Sequence, residues 1–177
     1  MITIVPIADV PAADVDQLLD DAFGQDRHGR TAYRLREGMA QIAGLSFAAT
    51  ADGVLLGSIQ AWPIQLRSED GTTVPLILVG PVAVRPGRQR DGIGRRLMEA
   101  MLAAADAQGS DPMTLIGDPE YYDRFFGFCA APTAGWHVPG PVERRRLLAR
   151  LRPGQTVPMD GQLEPRRMAV ALEPAPQ

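Results

Sequence analysis

The stretch from Leu78 to Arg96 combines residue types that could bind phosphate through the protein backbone. An apolar, β-branched run ends at Pro86-Gly87, and a glycine-rich turn over Gln89 to Gly94 leads directly into a helical pattern. A helix that begins in this way presents unpaired backbone N–H groups and the positive end of its macrodipole. Glycine has no Cβ and lets a ligand approach the main chain closely. The stretch therefore predicts a site for phosphate or pyrophosphate.

Arginine side chains add positive charge around this turn. They are Arg85, Arg88, Arg90, Arg95 and Arg96. Two common nucleotide motifs fail here at a required residue. A P-loop needs a lysine and the chain contains none, while a Rossmann fingerprint needs a glycine three positions after Gly94, where Leu97 stands. What remains is the pattern Q-x-x-G-x-G after a strand that reads Val-Ala-Val.

That pattern, from Gln89 to Gly94, resembles the acetyl-CoA-binding motif of the Gcn5-related N-acetyltransferase (GNAT) family. The longer phrase LVGPVAVRPGRQRDGIG is similar to a bacterial branch of the family that reads L-G-P-x-A-V-x-P. The resemblance implies acetyl-CoA as co-substrate and no metal. It also implies an α/β fold with a mixed, mostly antiparallel sheet, a central splay between strands 4 and 5, and flanking helices.

The resemblance also implies which residues hold the cofactor. The glycine turn would bind the pyrophosphate, and the pantetheine arm would pair with exposed backbone where the two strands part. The cofactor-binding residues would be Val82, Ala83, Val84, Gln89, Arg90, Asp91, Gly92, Ile93, Gly94 and Arg95. Pro81 gives an independent physical indication, because a proline has no N–H to donate across a sheet. It predicts a bulge or splay just before Val82.

The segment from Glu120 to Phe128 contains the candidate catalytic residue. By itself it indicates an aromatic-rich amphipathic helix that covers the core. Members of the resembled family carry a tyrosine in a Y-x-x-x-G-F pattern here, and that tyrosine protonates the departing CoA thiolate. Tyr122 is the expected general acid, although it precedes Gly127 by five residues rather than four. Because one residue rotates a helical side chain by about 100°, Tyr121 stays an alternative.

A general base is harder to identify from the sequence. Asp26, His28 and Glu37 lie in an early helix–loop region that would form the acceptor wall. A water chain along backbone carbonyls would leave no trace in the sequence and is favoured over any of these residues. The acceptor pocket is expected from residues 24–39 and 136–151, and its substrate stays open among peptide N-termini, polyamines, antibiotics and small metabolites.

The bulk composition indicates an ordinary globular enzyme. The 177 residues predict one domain over 1–177, with 45% hydrophobic and 22% charged residues. A net charge of −3 gives the whole molecule no attraction to nucleic acid. A lone cysteine, Cys129, excludes an intramolecular disulfide and a multi-cysteine zinc site. Without a charged leader or a long apolar run, a cytoplasmic protein with no membrane contact is expected.

The hydrophobic periodicity predicts an alternating order of strands and helices. The predicted helices cover Asp9–Phe23, Ala32–Met39, Ile93–Gln108 and Glu120–Phe126, with an arginine-rich one over Glu143–Leu151. The predicted strands cover Met1–Pro6, Leu45–Thr50, Val54–Leu66, Val74–Val84, Met113–Ile116, Phe128–Ala134, Trp136–Val138 and Met168–Leu172, before a frayed tail over Glu173–Gln177.

These observations together predict an N-acetyltransferase that moves acetyl from acetyl-CoA directly to a primary amine of a small molecule or peptide. A catalytically silent acyl-CoA-binding sensor is the alternative, since it would keep the glycine turn without needing a tyrosine hydroxyl. A nucleic-acid module would rest on the arginines of residues 144–152 alone and is disfavoured. A homodimer stays open, because dimers are common in the resembled family.

Overall fold

The computed structural model describes residues 1–167, which form one eight-stranded sheet with four α-helices. The helices are α1 (Ala12–Phe23), α2 (Thr31–Leu35), α3 (Ile93–Gln108) and α4 (Pro119–Phe126). The strands are β1 (Thr3–Pro6), β2 (Phe47–Ala51), β3 (Val54–Arg67), β4 (Thr73–Val84), β5 (Met113–Ile116), β6 (Gly135–His137), β7 (Leu147–Arg150) and β8 (Asp160–Pro165).

The sheet is mixed and mostly antiparallel, as predicted. Its main path runs β1-β2-β3-β4-β5-β7, while β8 pairs with β3 and β6 pairs with β8. Among the strands of residues 1–167, only the β4–β5 and β6–β8 pairs are parallel. The β2–β3 hairpin turns at Asp52 and Gly53, which both have positive φ (50° and 75°), as a tight hairpin turn requires.

β4 bulges and then separates from β5, as Pro81 predicts. Ile59 lies opposite Val82 and Ala61 lies opposite Val79, so that two residues of β4 face one residue of β3. On its other edge β4 pairs with β5 only at two positions, through Ile77 and Leu78. Beyond Leu78 the two strands diverge, and the space between them opens into a cavity.

α1 and α3 pack on opposite faces of the sheet. Leu55 of β3 packs in the cluster that holds the α1 side chains, whereas its neighbour Leu56 packs in the cluster that holds those of α3. Successive side chains of a strand point to opposite faces, so the two helices sandwich the sheet. α3 buries a full apolar stripe at helical spacing: Ile93, Leu97, Met98, Met101 and Ala105. This packing fixes the start of α3 against β3 and β4.

Two predicted elements are wrong. No strand covers Phe128–Ala134: a single bridge joins Cys129 to Ala149, and Pro132, which has no N–H to donate, falls within a 3₁₀ turn. No arginine-rich helix covers Glu143–Leu151. Its apolar residues form β7 instead, because Leu147 and Leu148 are fully buried and the strand completes the sheet beside β5.

Other boundaries also differ from the prediction. α2 ends at Leu35 rather than continuing to Met39, in keeping with its weak apolar face. β8 was not predicted, because its sequence contains few apolar residues. One of them, Leu163, is buried. The strand predicted over Met168–Leu172 and the tail predicted over Glu173–Gln177 lie outside the described residues. In residues 1–167 no helix has the length and apolarity that a membrane span requires.

Candidate active site

The glycine turn ends where α3 begins, and it leaves backbone donors without a helical partner. Gly92 occupies the N-cap position with a left-handed backbone (φ 72°), and no side chain caps the helix. The first helical hydrogen bond runs from the Arg96 N–H to the Gly92 carbonyl oxygen at 3.1 Å. The N–H groups of Ile93, Gly94 and Arg95 therefore precede the hydrogen-bonded helix and can converge on an anion.

Three glycines shape this end of the site in different ways. A Cβ on Gly92 would meet nothing within 4 Å, so glycine is favoured there by the left-handed backbone and not by lack of space. A Cβ on Gly94 would only touch Val84 and Val82 at 3.7 and 3.9 Å, which is ordinary contact. A Cβ on Gly57 would lie 2.8 Å from Ile93 Cγ2, so this glycine allows α3 to approach β3. Gly57 was not among the predicted site residues, although a glycine inside a strand signals close approach.

Several side chains of the turn hold the turn itself. The Gln89 side-chain oxygen accepts a hydrogen bond from the Gly87 N–H at 2.9 Å, and Arg88 pairs with Asp91. Arg85 donates twice to the Leu55 carbonyl oxygen, at 3.0 and 2.8 Å. These predicted site residues thus preorganise the loop.

The remaining three arginines of the turn differ in the partners of their side chains. Arg96 donates to the Ile2 carbonyl oxygen at 3.0 Å, and Arg95 pairs with Glu99 at 3.0 Å. Arg90 makes no side-chain hydrogen bond or ion pair to any residue in the described part of the chain, and it is exposed. Among the five arginines, Arg90 is therefore the one whose guanidinium is available to solvent or to a ligand.

The splay between β4 and β5 holds the main cavity, of about 910 Å³. One wall is the bulge of β4 from Leu78 to Val82, and another is the end of β5 with the following Gly117. The indole Nε1–H of Trp62 donates to the Gly80 carbonyl oxygen at 2.8 Å and so anchors the bulge from β3. Its volume falls within the range of small-molecule and cofactor sites, about 300–1,000 Å³.

Tyr122 lies in the wall of this cavity. Its ring packs directly on the backbone of Gly117, where a Cβ would come within 2.4 Å of the ring. Burial, reinforced by the neighbouring Tyr121 and Asp118, raises the pKa of Tyr122 to about 12. The hydroxyl is therefore fully protonated at neutral pH.

Tyr121 is placed differently. It does not line the cavity but stacks edge-on against Tyr122, with ring centroids 5.0 Å apart, and against Phe126 at 5.6 Å. Burial also raises the pKa of Tyr121. The one-residue change in spacing thus leaves Tyr122, and not Tyr121, facing the splay.

The three candidate general bases do not line the cavity that contains Tyr122. His28 and Glu37 line a second, smaller cavity of about 250 Å³, and Asp26 lines neither cavity. The carboxylates that line the main cavity are those of Asp118 and Glu143. Neither was predicted as a cavity residue, because their proximity to each other and to the splay arises only in the folded chain.

Ion pairs surround the Tyr122 end of the cavity. The Asp118 carboxylate lies 3.3 Å from Arg146 Nε and does not cap α4 through its side chain. Glu120 pairs with Arg145 nearby. Arg145 and Arg146, predicted on a solvated helix, thus hold the segment before β7 against the start of α4.

The opposite wall is formed by two segments that are distant in sequence, within residues 24–39 and 136–151. Both are the segments predicted to contribute to the acceptor pocket, and residues from both line the cavity. The Thr31 hydroxyl donates to the Pro141 carbonyl oxygen at 2.7 Å, and Arg34 donates to that of Pro139 at 3.0 Å. A Cβ on Gly140 would lie 2.5 Å from the Thr31 hydroxyl oxygen, so the two segments are in tight contact. We call residues 31–36, which are α2 and the residue that follows it, together with residues 138–146 the acceptor-side wall. In the described part of the chain no cluster of His, Cys, Asp or Glu could hold a metal ion.

Comparison with known proteins gives one family. The family model described as an acetyltransferase (GNAT) domain matches residues 6–129. The crystal structure of a GNAT family acetyltransferase from Brucella melitensis, in complex with acetyl-CoA, is 27% identical, with a TM-score of 0.65 over 93% of this chain and 95% of that one. The GNAT family N-acetyltransferase YhbS from Escherichia coli, in complex with CoA, is 24% identical, with a TM-score of 0.68 over 93% and 88% of the two chains. No curated protein matches significantly.

Proposed function

The chain belongs to the GNAT acetyltransferase family, and we propose that it transfers the acetyl group of acetyl-CoA directly to a primary amine. The observation that carries this proposal is the splay cavity, which brings the β4 bulge and the Tyr122 ring to one space. The 27% identical Brucella protein, which covers nearly the same length, was solved with acetyl-CoA. A cytoplasmic location and a single domain over 1–177 stay predictions, as does a homodimer.

In this proposal the cofactor lies along the route from the glycine turn to the cavity. The pyrophosphate accepts hydrogen bonds from the N–H groups that precede the helical bonds of α3, with the unengaged Arg90 nearby. The pantetheine arm passes between β4 and β5, which share no pairing beyond Leu78. The residues assigned to the cofactor are Val82, Ala83, Val84, Gln89, Arg90, Asp91, Gly92, Ile93, Gly94 and Arg95.

The reaction is one acyl transfer between two held partners. The amine nitrogen attacks the thioester carbonyl carbon, a C–N bond forms, and the C–S bond breaks with its electron pair on sulfur. The nitrogen gives its proton to water in the cavity, and the departing sulfur, to which the Tyr122 hydroxyl donates a hydrogen bond, takes a proton back through that water. Holding both reactants in one cavity supplies much of the acceleration, because a bimolecular encounter becomes a local one.

The raised pKa of Tyr122 defines its role more closely. An ordinary thiol has a pKa of about 8.5, so complete transfer of a proton from a phenol of pKa about 12 to a thiolate is uphill. The Tyr122 hydroxyl therefore acts first as a hydrogen-bond donor that stabilises the charge developing on sulfur. The thiol acquires its proton as the adduct collapses and the amine gives up its own.

The test compares the two adjacent tyrosines. We expect Tyr122→Phe to lower kcat by roughly 100-fold, the lower end of the range for losing one hydrogen-bond donor to a developing negative charge, with little change in acetyl-CoA affinity. Tyr121→Phe, which removes a hydroxyl outside the cavity lining, is the matched control and should keep most activity. Equal effects of the two variants would refute the role of Tyr122. Tight acetyl-CoA binding with no turnover across a broad amine panel would favour the sensor alternative.

A further inference from the structure

Arg36 is held in an unusual way at the end of α2. Its guanidinium carbon lies 3.9 Å from the centroid of the Tyr33 ring and 4.0 Å from that of the Trp62 ring. Rings packed this closely fix the plane of the guanidinium and leave its N–H edge as the polar surface. The side chain is therefore preorganised for an acceptor that lies in its own plane.

The protein supplies no carboxylate to pair with it. Within residues 1–167 no carboxylate lies within ion-pair distance of Arg36, which interacts with the Tyr33 hydroxyl and with the more distant charge of Asp16, and its Nη1 is enclosed without a partner. Two other arginines of the same cavity lie beside carboxylates, Arg27 at 3.0 Å from Asp20 and Arg146 at 3.3 Å from Asp118, and Arg30 donates to the Phe23 carbonyl oxygen at 3.2 Å. Burial also lowers the pKa of Arg36, because desolvation disfavours its charged form. An unmatched, partly desolvated cation is costly unless something neutralises it.

The position of Arg36 points to the acceptor as its partner. The side chain lines the main cavity, on the acceptor-side wall, and also the smaller cavity behind it. Trp62, which packs on Arg36, donates to the Gly80 carbonyl oxygen of the β4 bulge at 2.8 Å. One aromatic side chain thus contacts both the unmatched cation and the strand segment that borders the reacting end.

We infer that Arg36 binds a carboxylate of the acceptor, so that the acceptor is an amine that also carries a carboxylate. This inference rests on the proposed acetyl transfer to an amine in the same cavity. A guanidinium held by its faces recognises a planar oxyanion through parallel N–H bonds in its plane. The carboxylates of Asp118 and Glu143 line the same cavity, and their repulsion of a second negative charge favours a carboxylate over a phosphate dianion. Free amino acids and peptide C-termini both offer this chemistry.

Binding of product-like probes tests the inference without relying on turnover. The probes are N-acetylglycine, N-acetylalanine and N-acetyltrialanine, each paired with its C-terminal amide and titrated in the presence of CoA. Trp62 reports binding through its fluorescence, since the other tryptophan, Trp136, is fully buried. We expect at least one carboxylate probe to bind ~10-fold or more tightly than its amide, the scale of a charge-assisted bond. Preference for the single residues indicates an amino acid, and preference for the tripeptide indicates a peptide terminus.

Substitutions then connect the preference to Arg36. Arg36→Gln should abolish the difference between carboxylate and amide, and Arg36→Lys should restore part of it. The control is Arg67→Gln, which removes the same charge from an arginine at the far end of β3, paired with Glu164. No carboxylate preference in any probe pair, or a preference that survives Arg36→Gln, would overturn the inference.

Acetyl-CoA titration keeps this outcome separate from the proposed function. Arg36→Gln should keep most of its acetyl-CoA affinity, because no residue of the glycine turn from Gln89 to Gly94 lines the cavity that Arg36 lines. If the unmodified protein binds acetyl-CoA and acetylates amines but shows no carboxylate preference, only the inference fails. If it binds the carboxylate probes through Arg36 but acetylates no amine, only the proposed function fails.

Discussion

The glycine turn that begins α3 and the acceptor-side wall serve one candidate site, yet they are built in different ways. The turn is held by contacts between near neighbours: the Gly87 N–H with Gln89, Arg88 with Asp91, and the Arg96 N–H with Gly92. The acceptor-side wall is held by hydrogen bonds between residues 110 and 105 positions apart, from Thr31 and Arg34.

The difference has a chemical basis. The turn offers backbone N–H groups to an anion, and their direction follows from local conformation. The acceptor-side wall offers side chains such as Arg36, whose surroundings exist only after distant segments have packed. Changes in the turn should therefore act on cofactor affinity, and changes in the wall should act on the acceptor.

The largest effect is expected from Gly92→Asp. Its carboxylate would sit beside the unpaired N–H groups of α3, where it would compete with the pyrophosphate and repel it. We expect acetyl-CoA affinity to fall by roughly 100-fold, since an uncompensated charge close to a ligand charge costs several kcal/mol. Isothermal titration calorimetry on the folded variant measures this loss.

Gly92→Asn separates charge from shape at the same position. Asparagine has the size of aspartate and tolerates a left-handed backbone, such as the φ of 72° at Gly92. It should therefore keep much more affinity than Gly92→Asp. Equal losses would show that bulk, and not charge, closes the turn, and unchanged binding in both would contradict an anion site here.

Gly57→Ala should destabilise the fold around the turn. The new Cβ would lie 2.8 Å from Ile93 Cγ2 and 2.9 Å from the Ala83 carbonyl oxygen, so α3 must move off the sheet. We expect a loss of about 1–3 kcal/mol in the free energy of unfolding, as for other overpacked sites, measured by urea denaturation.

The control for Gly57 is a glycine with room around it. Gly29→Ala adds the same methyl group where nothing lies within 4 Å and φ is not positive. Its unfolding free energy should stay within about 0.5 kcal/mol of the unmodified protein, as for surface changes. A Gly57→Ala variant as stable as Gly29→Ala would show that the packing of α3 on β3 is looser than these distances indicate.

Local signals account for the parts of the fold that were predicted correctly. The 3.6-residue stripe of α3 and the bulge at Pro81 follow from periodicity and from the missing proline N–H. The arginine-rich segment failed because Leu147 and Leu148 fit a short apolar strand as well as a helix. The strand forms because it pairs with the edge of β5, and the periodicity of the sequence cannot show that this edge is available.

The candidate site likewise contains parts that local sequence predicts and parts that it does not. The glycine turn could be located because its residues are contiguous. Tyr122 was expected as the general acid, with Tyr121 as the alternative, and of the two only Tyr122 lines the cavity. The packing of Arg36 between Tyr33 and Trp62 could not be predicted, since β3 and α2 meet only in the folded chain. Asp118 and Glu143 reach the cavity for the same reason.

A smaller effect, confined to the acceptor side, is expected from Thr31→Val. The substitution keeps the shape of the side chain and removes the hydrogen bond to the Pro141 carbonyl oxygen. Losing one such bond costs about 1 kcal/mol, so the KM for the acceptor should rise several-fold while acetyl-CoA affinity stays the same. Thr73→Val, at an exposed end of β4, is the control and should change neither. A loss of acetyl-CoA affinity in Thr31→Val would contradict the separation of the two sides.

The smallest change is expected in the alkaline part of the pH profile. Because the pKa of Tyr122 is raised to about 12, its hydroxyl keeps its proton well above neutral pH. Activity should rise as the acceptor amine loses its proton, an alkylamine having a pKa of about 10, and should not fall through loss of the Tyr122 proton below that point. Steady-state kcat measured from pH 6 to pH 10 tests this. A descending limb near pH 8 or 9 that disappears in Tyr122→Phe would mean that bound cofactor lowers the tyrosine pKa, and the cofactor side would then control the proton as well as the acyl group.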